Sequence, residues 1–321
     1  MVVWSHMANF PGFPVFRSSS VDFARLGVTV FFVLSGFLIT TLLVDERSRK
    51  GRISLRDFYL RRTIRIFPAA YLYIGVVVVF AWLGLATRLP GDLQHAVTYT
   101  MNYHHERGWS LGHLWSLALE EQFYLLWPLI FLLARKGAIL VALSVVVLAP
   151  VVRALAWILW PAERTGIDEE FQYVADSLAT GCLLALLVAR FGGERIAGMV
   201  PRWMFLAAPA AAVVATFFTD YPSFHLPFGM TLINVGIALS ILWVVNRPAT
   251  VVGCALNSRA AVFVGTISYS LYLWQQLFLN PQLMTMRYAV PIAVVLSFAA
   301  AIASYYLVEK PLLGLRERFR H

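Results

Sequence analysis

Charged residues are scarce in this sequence. They make up 13% of its 321 residues, whereas a soluble domain has about a quarter. Hydrophobic residues make up 60%, and the mean hydropathy is +0.71. This balance argues against a soluble enzyme and favours a protein with many membrane-spanning helices.

Cysteine is also scarce. The two cysteines, Cys182 and Cys254, lie in or beside apolar runs, so we expect neither a disulfide framework nor a zinc site. The N-terminus does not resemble a secretory signal peptide, because no basic stretch precedes an apolar run and no small-residue cleavage site follows one. His95, His104 and His105 cluster in one loop, but their spacing matches no standard metal-binding pattern. We therefore expect no metal, and we expect this loop to shape an acceptor site.

Long apolar segments dominate what remains, and a spanning helix needs about 20 apolar residues. Residues 1–8 are interpreted as the outer remnant of a first helix whose earlier part precedes Met1. The expected fold is an all-α polytopic transmembrane helix bundle of about ten spans with the first one truncated. We expect residues 1–321 to form a single integral membrane domain with no separate soluble domain. The nine complete spans are predicted at Leu26–Val44, Ile64–Ala86, Leu117–Leu133, Ala138–Trp160, Val174–Ala189, Trp203–Phe218, Leu226–Val245, Ala261–Leu279 and Ala289–Val308.

The basic residues alternate between the predicted loops. Alternate loops hold 19 of the 26 Lys and Arg residues, the other side holds six, and Arg153 lies within a span. Basic loops face the cytoplasm in membrane proteins, so we predict a cell-membrane protein with a cytoplasmic C-terminus. Because the charge lies between spans rather than on one patch, it indicates topology and no nucleic-acid partner.

The segment from His113 to Pro128 is the most informative stretch. It opens an apolar run, yet it contains a histidine and the adjacent pair Glu120 and Glu121. Ionisable groups inside a membrane are costly unless paired or solvated, and they usually mark function. On a helix His113, Ser116 and Glu120 share one stripe, while Glu121 lies about 100° away. The alternative is an ordinary helix start with acidic residues in its first turn.

Two further segments suggest a ligand. Arg61, Arg62 and Arg65 can converge on one side of a helix, and arginine clusters bind phosphate; ordinary charge on a cytoplasmic loop is the alternative. Pro68 suits the first turn of the span that follows. The other segment is an apolar run that contains the small residues Ser35 and Gly36. Small residues either let two helices approach closely or open a passage for a ligand chain. The candidate residues of this segment are Phe31, Phe32, Ser35 and Gly36.

Polar residues recur near the C-terminal end. Tyr269, Tyr272 and Gln276 share a polar face within an apolar span. Glu309 either caps or pairs at the cytosolic end of the last span, or it is a solvated carboxylate. Asp176, near the start of another span, is either a buried partner for an arginine or an interfacial residue.

These motifs resemble those of a known family. FFVLSGFLIT, FYLRRTIRIFP, HLWSLALEEQFYLLWP, SYSLYLW and EKP occur in the order seen in the acyltransferase-3 family of integral membrane acyltransferases. The resemblance implies about ten transmembrane helices and an acyl-CoA donor bound from the cytosol. It also implies transfer of an acetyl or similar group to a hydroxyl, mostly on sugars of surface polysaccharides, peptidoglycan or glycosylated metabolites.

The resemblance also implies roles for individual residues. His6 matches the histidine of the family's first helix, its proposed base; the arginine that the family has eleven residues earlier would precede Met1. We expect the true start of the protein to lie before Met1, and a catalytically dead scaffold is the alternative if Met1 is the true start. Gln275 stands where many members have histidine after the Leu-Trp pair, and glutamine cannot act as a base.

The residues and the resemblance together give a mechanism. His6 accepts the proton of the acceptor hydroxyl, Glu120 orients the acceptor or the imidazole, and the three arginines hold the CoA phosphates. The competing hypothesis is a multi-span transporter without acyl chemistry; the sequence lacks the paired Gly/Pro interruptions expected of one. Site-shaping residues on the acceptor side are predicted to be His113, Trp115, Ser116, Tyr124, Tyr269 and Tyr272.

Overall fold

A computed structural model describes residues 1–8, 23–280 and 289–318, and no strand occurs within them. Ten helices bear on the argument: α1 Val2–Ala8, α2 Phe23–Lys50, α3 Leu55–Trp82, α4 Leu114–Ala134, α5 Ala138–Leu159, α6 Phe171–Phe191, α7 Met204–Ala215, α8 Met230–Asn246, α9 Arg259–Phe278 and α10 Ala289–Ser304. Shorter helices are Asp92–Val97, Trp109–Gly112, Gly193–Met199, Pro222–Phe224, Val251–Leu256 and Lys310–Arg318. The π turns are His225–Gly229 and Tyr305–Glu309. The 3₁₀ turns are Met101–Tyr103, Arg135–Gly137, Pro161–Glu163 and Thr216–Phe218.

Each of the nine predicted spans contains a helix, so the all-α polytopic fold is confirmed. In the described part of the chain, seven helices are long and apolar enough to cross a membrane. An eighth span is counted if Gly193–Met199 and Met204–Phe218, bent by 80° at their break, are taken together. The remaining predicted span, α9, has 20 residues, but its serine, tyrosine and glutamine residues keep it out of this strongly apolar group.

The prediction for Pro68 is wrong. Proline was expected in the first turn of a span, but α3 begins at Leu55 and contains Pro68 in its interior. Ser54 starts the helix, because its hydroxyl accepts a hydrogen bond from the Asp57 amide at 3.3 Å and caps the first turn. The arginine cluster therefore lies within the spanning helix itself, where neighbouring turns hold its side chains in fixed directions.

The relation between hydropathy and burial is the reverse of that in a soluble protein: the most apolar helix is the least buried. The most apolar of the seven helices, α5, has only 22% of its apolar window buried, whereas α6, among the least apolar, has 61% buried. Large apolar side chains such as Leu133, Leu206 and Leu307 are more than three-quarters exposed. Such surfaces are stable against lipid and not against water, which identifies a multi-span membrane protein.

The described helices form two compact units. The first unit contains α2, α5, α6, α7, α8 and the part of α4 from Gln122 onward. The second unit contains α1, α3, α9, α10 and the segment that ends at Glu121. A core between α9 and α10 is built on Leu279, Val290 and Ala293, and α1 packs Val3 and Met7 against it.

Two glycines allow α2 and α6 to touch backbone to backbone in the first unit. A Cβ atom on Gly36 would overlap the carbonyl of Leu178, and one on Gly181 would overlap the carbonyl of Val33. Small residues permit such close approach in membranes, where packing drives helix association. Gly36 therefore lies at a close contact between helices, which is what the packing alternative expects.

We predict that Gly181→Ala destabilises the protein by about 1–3 kcal/mol, because the added methyl forces the two helices apart. Gly75→Ala is the matched control, since Gly75 lies inside α3 with nothing within 4 Å of an added Cβ; alanine there should be neutral or mildly stabilising. Thermal unfolding of both variants in the same detergent measures the difference. Equal melting temperatures for the two would contradict the packing role.

A buried ion pair holds the other side of α6. Arg153 of α5 donates to Asp176 at 2.9 Å, and both side chains are fully buried. The guanidinium also donates to the carbonyls of Tyr173 at 2.7 Å and Leu226 at 2.9 Å, while Asn234 donates to the second Asp176 oxygen at 3.2 Å. Asp176 is thus a buried partner of an arginine and not an interfacial residue. A buried charge is tolerated only when paired and hydrogen-bonded in this way.

Candidate active site

The predicted site residues are distributed over both units. Phe31, Phe32, Ser35, Gly36, Tyr124 and Asp176 belong to the first unit. The second unit holds the others, namely His6, Arg61, Arg62, Arg65, His113, Trp115, Ser116, Glu120, Tyr269, Tyr272 and Glu309. Most of the residues to which chemistry was assigned are therefore in the second unit.

His6 is held by residues of two other elements of the second unit. Its Nδ1 lies 2.7 Å from Oε1 of Gln275 in α9, and its ring packs against that of Trp109 with centroids 5.2 Å apart. Trp109 is fixed in turn, because its indole N–H donates to the carbonyl of Gln276 at 2.9 Å. The imidazole therefore has a defined position and orientation, which a general base requires.

A second polar group surrounds the start of α4. The hydroxyls of Ser116 and Tyr272 are 2.5 Å apart, and the Tyr272 hydroxyl is also 2.8 Å from the carbonyl of His113. The structure thus brings together three of the predicted acceptor-side residues. It joins the opening turn of α4 to α9, which also carries Gln275.

His113 occupies a buried aromatic cage at the break between Trp109–Gly112 and α4. Its ring lies 5.3 Å from the rings of both Tyr73 and Tyr272. Neither ring nitrogen meets the geometry of a hydrogen bond, although the backbone of Leu273 lies near the ring. Tyr73 is fixed by its hydroxyl, which donates to the carbonyl of Ser110 at 2.6 Å. The His113 ring is therefore held by aromatic contacts within the second unit.

The two glutamates of α4 have different surroundings. Glu120 is buried, whereas Glu121 is half-buried; Arg62 lies close enough to Glu121 to interact electrostatically. Glu120 is the residue of this pair that the sequence predicts for the site. The structure places Glu121 near the arginine cluster.

Tyr99 is a further candidate for the site that the sequence did not indicate. Its backbone has φ of +53°, a conformation that non-glycine residues rarely adopt and that tends to occur at functional sites. Its ring stacks on Phe67 with centroids 5.1 Å apart. Burial, and then the nearby Glu121 carboxylate, raise the pKa of the Tyr99 phenol, so the hydroxyl stays protonated and can donate a hydrogen bond.

The cytosolic end predicted for the site is also ordered by α9. Ser270 donates to the carboxylate of buried Glu309, and Arg65 lies close enough to Glu309 to interact electrostatically. Tyr269 donates from its hydroxyl to the carbonyl of Ile66 at 2.8 Å. Glu309 therefore pairs with α9 and is not a solvated carboxylate. Arg61, Arg62 and Arg65 are all half-buried.

Residues of the first unit make a separate polar contact. The hydroxyls of Ser35 and Tyr124 are 3.3 Å apart, and Trp127 donates to the Thr40 hydroxyl at 2.9 Å. Phe32 is buried and Phe31 is 42% exposed. These bonds join α2 to α4 within the unit, so a structural role is sufficient to explain Ser35 and Tyr124.

Metal chemistry has no evident site in the part of the chain that the structure describes: no group of three or more His, Cys, Asp or Glu side chains could hold an ion there. The clustered loop histidines have other contacts. His95 and His104 stack with centroids 4.5 Å apart, and His104 lies 3.1 Å from the buried carboxylate of Asp92. Asp92 also accepts from the amides of Leu89 and Gly108, so this cluster holds the loop together.

Sequence comparison identifies the family. The sequence model of the acyltransferase-3 family, described as an acyltransferase domain, matches residues 1–309. This is nearly the whole chain, and the chain therefore belongs to that family of acyltransferases.

Three relatives illustrate what the chain is similar to. YrhL of Bacillus subtilis, provisionally named a peptidoglycan O-acetyltransferase, is 31% identical over 329 residues, which cover 89% of this chain and 50% of YrhL. The peptidoglycan O-acetyltransferase OatA of Listeria monocytogenes is 29% identical over 283 residues, covering 78% and 44%. The O-acetyltransferase OatA of Staphylococcus aureus is 30% identical over 324 residues, covering 89% and 52%. The chain spans about half the length of these curated relatives, and no solved structure matches it.

Proposed function

We propose that this chain is a membrane-bound O-acyltransferase. It moves an acetyl or other short acyl group from acyl-CoA, bound from the cytosol, to a hydroxyl of a sugar or glycosylated acceptor such as a surface polysaccharide. The observation that carries the proposal is the oriented His6, bonded to Gln275 at 2.7 Å, in a chain that belongs to an acyltransferase family. The names of the relatives support a peptidoglycan-like carbohydrate acceptor.

The chemistry follows from the donor. A thioester is already activated, so the protein must remove the proton of the acceptor hydroxyl and stabilise the oxyanion that forms on the carbonyl. His6 takes the proton, and the hydroxyl oxygen then attacks the thioester carbon. The C–S bond breaks, an ester forms, and CoA leaves as the thiol after receiving a proton. Glu120 orients the acceptor or the imidazole, with His113, Trp115, Ser116 and Tyr272 around the acceptor.

The three arginines bind the acyl-CoA donor. Arg61 and Arg62 lie about one turn before Arg65 on one helix, and guanidinium groups bind phosphate through paired donors. Glu121 lies near Arg62, and Glu309 lies near Arg65. These carboxylates hold the guanidinium groups in place before the donor binds. The phosphates of the donor then replace the carboxylates or share the guanidinium groups with them. The excess of basic residues on one side supports a cytosolic position for this cluster and for the C-terminus.

The proposal is tested with the full-length protein, purified in detergent. Radiolabelled acetyl-CoA is supplied with chitooligosaccharides or peptidoglycan fragments, and base-labile acetyl ester on the carbohydrate is measured with thiol release. Stoichiometric ester and thiol without any ion gradient is the expected result, and it also separates the enzyme from a transporter. If neither acetyl-CoA nor longer acyl-CoA donors are consumed with any of these acceptors, the proposal is wrong.

We predict that Arg65→Ala raises the KM for acyl-CoA about tenfold or more while changing the KM for the acceptor little, because one charge-assisted phosphate contact is lost. Steady-state kinetics with each substrate varied in turn measure the two values. Arg56→Ala is the control, since Arg56 lies on the same helix but outside the cluster. An unchanged donor KM in Arg65→Ala would contradict the phosphate role.

A further inference from the structure

A directional chain of hydrogen bonds leads to His6 through two adjacent glutamines. The Nε2 of Gln276 donates to the backbone carbonyl of Trp109 at 2.9 Å. The Nε2 of Gln275 donates to Oε1 of Gln276 at 3.2 Å, and Oε1 of Gln275 faces Nδ1 of His6 at 2.7 Å. Gln275 and Gln276 are both buried. All four residues belong to the second unit.

The direction of these hydrogen bonds is fixed at the end where Gln276 meets Trp109. A backbone carbonyl can only accept a hydrogen bond, so the Gln276 amide must turn its NH₂ group toward Trp109 and its oxygen toward Gln275. That oxygen can also only accept, so Gln275 must present its own NH₂ group there. The carbonyl of Tyr272, 3.4 Å from Nε2 of Gln275, favours the same orientation. Oε1 of Gln275 is then the atom left to face His6.

We propose that Gln275 is a positioning residue that holds the proton of His6 on Nδ1. An amide oxygen only accepts, so Nδ1 must be the protonated nitrogen and Nε2 the one that carries the lone pair. Nε2 is therefore the atom that takes the acceptor's proton. This inference rests on the proposed function only in giving His6 the role of base; the tautomer itself is a property of the resting protein.

The choice of glutamine has a consequence for the reaction. The amide stays neutral, so it fixes the tautomer of the imidazole without attracting the proton as a carboxylate would. The charged group that forms on His6 is consequently less stabilised and returns its proton to the leaving thiolate more readily. Among the residues that the structure describes, His113 is a titratable group near His6; α9 presents Gln275 and Tyr272 on this side, and the α10 residues that pack on α1 are apolar.

The tautomer can be measured without any substrate. In the full chain labelled with ¹⁵N-histidine, long-range ¹H–¹⁵N spectra distinguish Nδ1–H from Nε2–H, and His6→Gln identifies the His6 signals by their loss. We expect Nδ1–H in the parent protein and a change to Nε2–H or a mixture in Gln275→Leu. An Nε2–H tautomer in the parent, or the same tautomer in both proteins, would overturn the proposal.

A second experiment uses the reaction. We expect Gln275→Leu to lower kcat about tenfold or more with little change in either KM, because the imidazole loses its orientation. In Gln275→Glu the carboxylate favours the imidazolium, so the acid limb of the kcat–pH profile should move up by about one pH unit. Gln94→Glu makes the same charge change at an exposed position of the short helix Asp92–Val97 and should leave the profile in place.

The two experiments separate the two proposals. Nδ1–H in a parent protein that consumes no acyl-CoA would leave the positioning of His6 intact and refute the enzymatic function. An active parent whose pH profile is the same in Gln275→Glu would refute the positioning role and leave the function intact.

Discussion

Replacement of His6 by alanine should lower acyl transfer about 10²–10⁴-fold, which is the usual contribution of a positioned general base. The loss should appear in kcat, because the imidazole acts on the proton in the transition state and contributes little to binding either substrate. Addition of imidazole to the assay should restore part of the rate, since a small base can enter the space that the side chain leaves. The measurement is thiol release from acetyl-CoA with a carbohydrate acceptor present.

Two matched variants separate chemistry from damage to the fold. Ser5→Ala changes the neighbouring residue of the same short helix α1 and should retain activity. His6→Gln keeps a hydrogen-bonding side chain beside Gln275 but cannot accept and return the proton, so its rate should be as low as that of the alanine variant. Undiminished turnover by His6→Ala in a correctly folded protein would eliminate the base assignment.

The helical fold could be read from the sequence because apolar length alone defines a membrane helix. Each predicted span contains a helix. The predictions differ from the structure in where the helices begin and end and in the position of Pro68 within its helix. Pro68 illustrates why: in water a proline near charged residues usually marks a helix start, but in α3 the flanking turns continue on both sides of it. Helices in membranes tolerate proline because neighbouring groups satisfy the backbone, and those neighbours are not visible in the sequence.

The site could be predicted only in part, and the reason differs between residues. His113, Ser116 and Tyr272 follow from helical spacing and polar residues within apolar runs, and the structure brings them together. The sequence identifies Gln275 only as a departure from the family pattern, because the role that we propose for it depends on the direction of its amide group. Tyr99 has no sequence signal, because non-glycine residues rarely adopt a positive φ and the residue type of Tyr99 does not predict the one observed here.

Trp109 belongs to a short motif that the sequence repeats. The tripeptide Trp-Ser-Leu occurs twice, at 109–111 and at 115–117, and the residues predicted for the site come from the second copy. The structure uses both copies differently. Trp109 packs on His6, while Ser116 of the second copy bonds Tyr272. A repeated motif on either side of a helix break therefore supplies two separate parts of the same unit.

The largest effect on stability should come from Asp176. Asp176→Leu leaves the guanidinium of Arg153 fully buried without its counter-charge, and loss of one partner of a buried ion pair costs about 3–5 kcal/mol. The remaining acceptors are the carbonyls of Tyr173 and Leu226 and the Thr231 hydroxyl. They satisfy hydrogen bonds but do not neutralise the charge. Unfolding free energy in mixed micelles, or the melting temperature in one detergent, measures the loss.

The half-exposed pair in the same unit provides the comparison. Arg25 lies 3.1 Å from Asp168, whose side chain is 41% exposed, so Asp168→Ala should cost no more than about 1 kcal/mol. The double variant Arg153→Met with Asp176→Leu should recover most of the stability that Asp176→Leu loses, because no buried charge remains. Recovery should be incomplete, since the Tyr173 and Leu226 carbonyls lose a donor. If the double variant is as unstable as the sum of the two single variants, the ion pair is not the source of the effect and packing of the side chains is.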